Sequence, residues 1–294
     1  MNIPYRPLSL RTPDFQYQER LEYILEKGTL AKDTPQGTGA ITCFGTLPQM
    51  VFDPRNGVPV ITERKIGFWK KPIAEIIAFI HGARMIDEIE SYGCDYWKDY
   101  RGKGAELGLA PDDMGPGSYG PVFHDYERAD GSKLNQFAEL IEQIRLYPNV
   151  RTHRITTWRP DYTARGPNRK VIVAPCHGEL HFRVLDGKLH MQMHQRSADF
   201  PVGVPSNMIQ YAALHLMMCQ VSSYVPGNYI HSVADAHIYE DQIETVKELV
   251  RRVPRPFPVL KLDPSVRDLF AFRVEHFALE EYEPHPAMRI PYRP

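Results

Sequence analysis

The chain has 294 residues, 43% of them hydrophobic and 24% charged, with a formal net charge of −1. That balance fits a folded globular protein with room for one large core. It supplies no general field for attracting nucleic acid or an anionic membrane, so an anionic ligand would need a local arginine cluster.

The first fifteen residues, with three prolines, read as an irregular arm. "YQERLEYILEKG" (17–28) places Leu21, Tyr23, Ile24 and Leu25 on one side and stops at a glycine, which predicts an amphipathic helix. Residues 72–92 read as one longer helix opened by Pro72, with a single carboxylate, Glu75, in its apolar run "IAEIIAFI". Residues 101–132, rich in Gly, Pro and Asp, read as loop, and 134–148 as a helix stopped by Pro148. "RITTW" and "KVIVAPC" read as strands; "LHFRVLDGKLHMQMHQ" reads as a hairpin turning at Asp186-Gly187. Residues 205–224 are apolar on nearly every face, the pattern of a central buried helix, and 240–252 form an exposed amphipathic one. A proline-stiffened stretch leads to a final strand near 262 and a proline-rich tail. With no repeat or linker, the expectation is a single α+β domain over 1–294, with an arm over 1–15 and a C-terminal lid over 284–294.

The four cysteines lie far apart and form no C-x-x-C pair, so they read as reduced thiols. The twelve histidines lack ligand spacing, and no metal is expected. No apolar run has signal or membrane-spanning length, so the expected location is cytoplasmic, with neither membrane nor nucleic acid as partner.

Cys176 is the first candidate for chemistry. A lone cysteine is more often a buried apolar residue than a nucleophile, and a free thiol is only slightly ionised at neutral pH. The hairpin, however, can return "HQRSAD" (194–199) toward it, bringing Arg196 as a cation; Arg196 and Ser197 also suit a phosphate. Glu75 is either a solvent-facing edge residue or a buried carboxyl with a raised pKa. Asn207 is either a helix cap or an amide that reads a heterocycle. His237 and Tyr239 alternate on a strand, as site residues or as a half-exposed strand end. The residues themselves lead to a thiol nucleophile, an arginine-lined anion pocket and an amide reader.

The stretches "GTGAITCFG", "AEIIAFIHG", "GCDYW", "GPGSYGPVF", "RITTW", "APCH", "QRSAD", "GVPSN" and "PGNYIHSVADAHIYEDQIE" resemble, in order and spacing, thymidylate synthase and its pyrimidine-nucleotide hydroxymethylase relatives. The resemblance covers nearly the whole chain. It implies a homodimer with a large mixed sheet at the interface and 5,10-methylenetetrahydrofolate as co-substrate. It also implies that Cys176 adds to C6 of a pyrimidine nucleoside monophosphate, Glu75 organises proton transfer and Tyr119 lies near the C5 proton. Arg196 and Ser197 would hold the phosphate, with Arg151 reaching it from the other subunit. Asn207 and His177 would meet the base, His237 and Tyr239 the sugar. Asp199, Trp97 and Gly203 would form the folate site.

Several positions depart from the synthase pattern. "DTPQGTGA" lacks the usual arginine, and Thr152 replaces the second of two arginines after Arg151. At roughly 1.5–3 kcal/mol per charged hydrogen bond, both losses matter; Lys133 and Arg154 are the candidates to compensate. Ser206 stands where an aromatic precedes the Asn, Gln210 stands where serine is usual, and the tail ends in Arg293 and Pro294. A charged lid and a missing aromatic favour water entry, hence 5-hydroxymethylation, with a CMP or dCMP hydroxymethylase as the nearest type. The alternatives are reductive methylation of dUMP and an inactive nucleotide- or RNA-binding relative.

Overall fold

The computed structural model describes residues 3–293. Along the chain lie α1 (Gln16–Lys27), β1 (Thr29–Ala31), β2 (Ala40–Phe44), β3 (Met50–Phe52), α2 (Lys70–Ile80) and α3 (Ile86–Ser91). Next come α4 (Tyr119–His124), β4 (Tyr126–Glu127), β5 (Lys133–Leu134), α5 (Gln136–Leu146), β6 (Arg154–Ile155) and α6 (Pro160–Thr163). The C-terminal half holds β7 (Glu179–Leu185), β8 (Lys188–Asp199), α7 (Gly203–Ser222), β9 (Val225–Tyr239), α8 (Ile243–Leu249), β10 (Val259–Leu262) and β11 (Phe277–Glu280).

Among the described residues, a seven-stranded sheet runs β1-β2-β9-β8-β7-β6, with β3 also on β9. Only β8 and β9 are parallel, and α7 is the crossover between them. This is the mixed sheet of the α+β expectation. One face of the sheet, carrying Leu180, Phe182, Met191, Met193 and Tyr229, is buried with α7 in the hydrophobic core. The other face, with His181, Arg183, Gln192 and Ser232, is only half-covered. Period-2 alternation therefore sorts the strands as read from sequence. Asp186 and Gly187 both have positive φ, 49° and 68°, and turn β7 directly into β8.

Four expectations need correction. The helix over 72–92 is two helices, broken at Gly82, which takes φ 82° and lies so close to His124 that a Cβ would crowd its ring. The loop over 101–132 contains α4. Only Arg154 and Ile155 of "RITTW" join the ladder, because the Glu179 carboxylate takes the Thr157 and Trp158 N–H groups at 2.6 and 3.1 Å in its place. "KVIVAPC" is not a strand: the Ile172 N–H goes to the Met114 carbonyl, and Arg169 covers the carbonyls of Val171 and Ile172. Cys176 thus follows an irregular extended segment, and Pro175 contributes no N–H there.

Within the arm, Met1 and Asn2 lie outside the described residues, and residues 3–15 are irregular apart from a 3₁₀ turn at Leu8–Leu10. The tail over 284–293 has no regular structure but is tied down: His285 N–H donates to Thr62 O, Gln242 Nε2 to Pro291 O, and Arg293 forks onto Asp241. Pro294 lies outside the described residues. Among the described residues no helix is long and apolar enough to cross a membrane.

Candidate active site

A cleft of about 820 Å³ opens between the C-terminal parts of β8 and β9, the 163–176 segment and the tail. Cys176, Arg196, Ser197, Asp199, His237 and Tyr239 all line it. The Cys176 carbonyl accepts from Arg196 N–H at 2.7 Å, which docks the irregular segment onto β8. Arg196 Nη2 then lies 3.2 Å from Cys176 Sγ. Burial pushes the thiol up from its ordinary range, and Arg196 only partly opposes this. The expected cation is in place, but it does not by itself ionise the sulfur.

On β9, His237 and Tyr239 project to one side as their spacing requires, with ring centroids 5.0 Å apart. Asp235 lies beneath them; it accepts from Thr42 Oγ1 at 2.6 Å and from the Ser197 hydroxyl, and its carboxyl is held below the usual range chiefly by His237. Asp199 is largely buried, which raises its pKa to about 6, although Gln242 Nε2 donates to Oδ2 at 3.0 Å.

Behind the cleft wall lies a second, buried layer. Glu75 is 5% exposed, and burial raises its pKa to about 7 against the hydrogen bonds it accepts from Trp97 Nε1 and Gln210 Nε2. Trp97 is therefore a partner of Glu75, packed edge-on to Phe79 and Tyr119. The Tyr119 hydroxyl accepts from the Cys176 N–H at 2.7 Å, and its ring stacks on His177. His177 bonds Tyr211 through Nδ1, and burial lowers its pKa to about 3, so its imidazole is neutral. Asn207 is 7% exposed, and Gly203, at the start of α7, is close enough that a Cβ there would reach Asn207 Oδ1 at 4.0 Å. Ser206 stands beside the Tyr96 hydroxyl.

The remaining expected residues lie elsewhere. Arg151 is exposed and does not line the cleft of its own chain. Lys133 pairs with Asp125 at 3.6 Å in a different pocket, and Arg154 is an exposed residue of β6 outside the cleft lining. Besides Arg196, the cleft is lined by Arg293 of the charged tail and by two basic residues that were missed, Arg165 and Arg169 on the loop after α6. The signal for these two was the polar stretch "TARGPNRK" just before the cysteine segment.

Among the described residues no group of three or more His, Cys, Asp or Glu side chains is placed to hold a metal ion. A thiol with a cation beside it, backed by a buried carboxyl and an amide, is a set of groups suited to covalent chemistry by sulfur. The family model described as thymidylate synthase matches residues 15–293, and the chain belongs to that family. Its members use 5,10-methylenetetrahydrofolate to transfer one carbon to C5 of a pyrimidine nucleotide, the activity class of this chain.

Proposed function

We propose that this protein transfers a hydroxymethyl group to C5 of a pyrimidine nucleoside monophosphate, with CMP or dCMP as the first substrates to test. The observation that carries the reading is the composition of the cleft. The Arg293 guanidinium, held by Asp241, forms part of its wall, and Ser206, beside the Tyr96 hydroxyl in the first turn of α7, is a small hydroxyl residue. A charged group needs hydration, and a missing aromatic leaves room for it, so water can reach the carbon before hydride does.

Cys176 Sγ adds to C6 of the base after losing its proton. That proton loss is favoured by the Arg196 guanidinium, 3.2 Å from the sulfur. Adduct formation gives C5 the electron density of an enol or enamine carbon; C5 would then bond the one-carbon unit that the folate supplies when bound and lose its own proton, with tetrahydrofolate as leaving group, water adding to the transferred carbon and the Cys176 thiolate released from C6. Glu75 moves the proton lost in this exchange. Its pKa near 7 lets it take and release a proton under neutral conditions. Tyr119 holds the Cys176 backbone, and His177 presents a neutral imidazole toward the base.

Arg196, Ser197, Arg165 and Arg169 bind the phosphate, and Arg151 of a second copy would complete it. His237 and Tyr239 contact the sugar. For the folate, Asp199 offers a carboxylate to ring N–H donors, a chemistry that fits a pterin, with Gly203 and Trp97 nearby. The test is incubation of protein, methylenetetrahydrofolate and each of CMP, dCMP, UMP and dUMP. Hydroxymethylated product without dihydrofolate supports the reading; stoichiometric dihydrofolate replaces it with reductive methylation, because only hydride transfer oxidises the folate. No turnover of any nucleotide would favour an inactive binding protein.

A further inference from the structure

The buried layer contains a directed chain of side-chain hydrogen bonds. Gln210 Nε2 donates to Glu75 Oε2 at 2.9 Å, and Gln210 Oε1 accepts from Asn207 Nδ2 at 3.0 Å. Asn207 Oδ1 in turn accepts from Gln195 Nε2 at 3.0 Å, and Gln195 Oε1 faces His231 Nε2 at 2.9 Å. Gln210 is fully buried, Gln195 is 2% exposed and His231 1%.

An amide has one donor end and one acceptor end of nearly equal size, so its direction is set by its partners. Here two acceptors stand at opposite ends of the chain, a carboxylate that only accepts while it is ionised and a backbone carbonyl. One is the Glu75 carboxylate, which also takes Trp97 Nε1 at 2.8 Å. The other is the Ser197 backbone carbonyl, which takes Gln195 Nε2 at 3.1 Å. Working inward from Glu75, Gln210 must turn its nitrogen to the carboxylate and its oxygen to Asn207. Working inward from Ser197, Gln195 must turn its nitrogen to Asn207. Both anchors give the same answer: Nδ2 of Asn207 faces Gln210, and Oδ1 faces Gln195. Reversing Asn207 alone would set donor against donor on one side and acceptor against acceptor on the other. Each mismatch strands a buried polar atom.

We infer that Gln210 is a specificity-determining positioning residue, which ties the Asn207 amide to Glu75 so that Asn207 serves one pyrimidine base and rejects the other. Uracil presents a donor at N3 and an acceptor at position 4, and cytosine the reverse. A freely rotating amide would read both, whereas a locked one reads a single pattern. The inference rests on the proposed role of Asn207 as base reader. It also joins base reading to the carboxyl that handles the C5 proton.

The test compares wild type with Gln210→Met and Gln210→Glu by calorimetric titration of CMP, dCMP, UMP and dUMP at about pH 8, above the Glu75 range, where a second buried carboxyl beside that carboxylate keeps its own proton. Wild type is expected to favour one base over the other by at least about 30-fold at constant sugar. Gln210→Met keeps the volume but cannot bond, and the preference is expected to fall below about threefold, chiefly through gained affinity for the disfavoured base. Gln210→Glu, when the introduced carboxyl is protonated, donates to Glu75 and accepts from Asn207 as before, so it is expected to restore the preference. A wild type that binds both bases alike, or a Gln210→Met protein that loses affinity for both bases in proportion, overturns the inference. Tritium release from C5 of the preferred nucleotide, measured in parallel on wild type, reports the one-carbon reading separately. Its absence beside an intact base ratio would sink the activity and leave the relay standing.

Discussion

Arg196 Nη2 lies 3.2 Å from the sulfur of Cys176, yet in the nucleotide-free chain burial outweighs that cation and keeps the thiol protonated. Cys43, Cys94 and Cys219 are buried at 4% exposure or less, so Cys176 is the thiol that a small alkylating reagent reaches. Iodoacetamide at neutral pH is expected to modify it slowly and at one site. Replacing Arg196 by Leu removes the opposing charge and should slow the reaction further, by roughly tenfold for each unit of added pKa. Mass spectrometry of a timed reaction checks both points, and a faster reaction in the variant would contradict the electrostatic role.

Arg165 and Arg169 are expected to replace the phosphate arginines that the family pattern has and this chain lacks. Arg165→Ala should raise the nucleotide KM by about 10- to 100-fold, the worth of one charged hydrogen bond, with kcat nearly unchanged. Lys133→Ala, which alters a different pocket, should leave KM unchanged. Steady-state kinetics on the two variants decides between the loop and the earlier candidate.

Burial raises the Glu75 pKa to about 7, and this has a defined sign for stability. The folded protein keeps the proton to higher pH than the unfolded chain, so the contribution is most favourable below about pH 4.5. It is lost as pH rises through about 7. Glu63, raised to about 7, and Asp199, raised to about 6, act in the same direction through burial. Glu75→Gln removes one of these titrations, and its unfolding free energy should fall less steeply between pH 5 and 7, by up to about 1.4 kcal/mol per pH unit. Denaturant titrations at several pH values measure this, while loss of tritium release in the same variant reports its chemical role.

The tail is fixed by contacts of unequal strength. The Arg293–Asp241 ion pair is 40% and 30% exposed at its two side chains, and pairs of that kind contribute at most about 1 kcal/mol. Asp241→Asn should therefore raise the folate KM by no more than about fivefold. Gln242→Ala, which removes buried bonds to both Pro291 O and Asp199, should raise it more. Equal effects of the two substitutions would show that the ion pair, not the buried amide, holds the tail.

The parts of this molecule that were legible in sequence are those written by local periodicity. The apolar helix over 205–224, the Asp186-Gly187 hairpin and the alternation of His237 with Tyr239 each depend on neighbours a few positions apart. What failed depends on distant partners. The 170–176 stretch has the composition of a strand, but its N–H and C=O groups go to Met114 and Arg169, so no strand lies beside it. The break at Gly82 is set by where His124 packs, 42 residues onward. Glu75, Asn207 and Trp97 were visible as candidates, but the bonds joining Glu75 to Trp97 and Gln210 span 22 and 135 residues. Arg165 and Arg169 of the cleft sit on a loop with no periodicity to mark them.

The most direct measurement is tritium release from a 5-tritiated pyrimidine monophosphate in the presence of the folate, comparing wild type with Cys176→Ser. Loss of release by about a thousandfold or more, with nucleotide still bound, is expected if sulfur addition at C6 activates C5. Release from the serine variant at the wild-type rate would contradict covalent activation by Cys176.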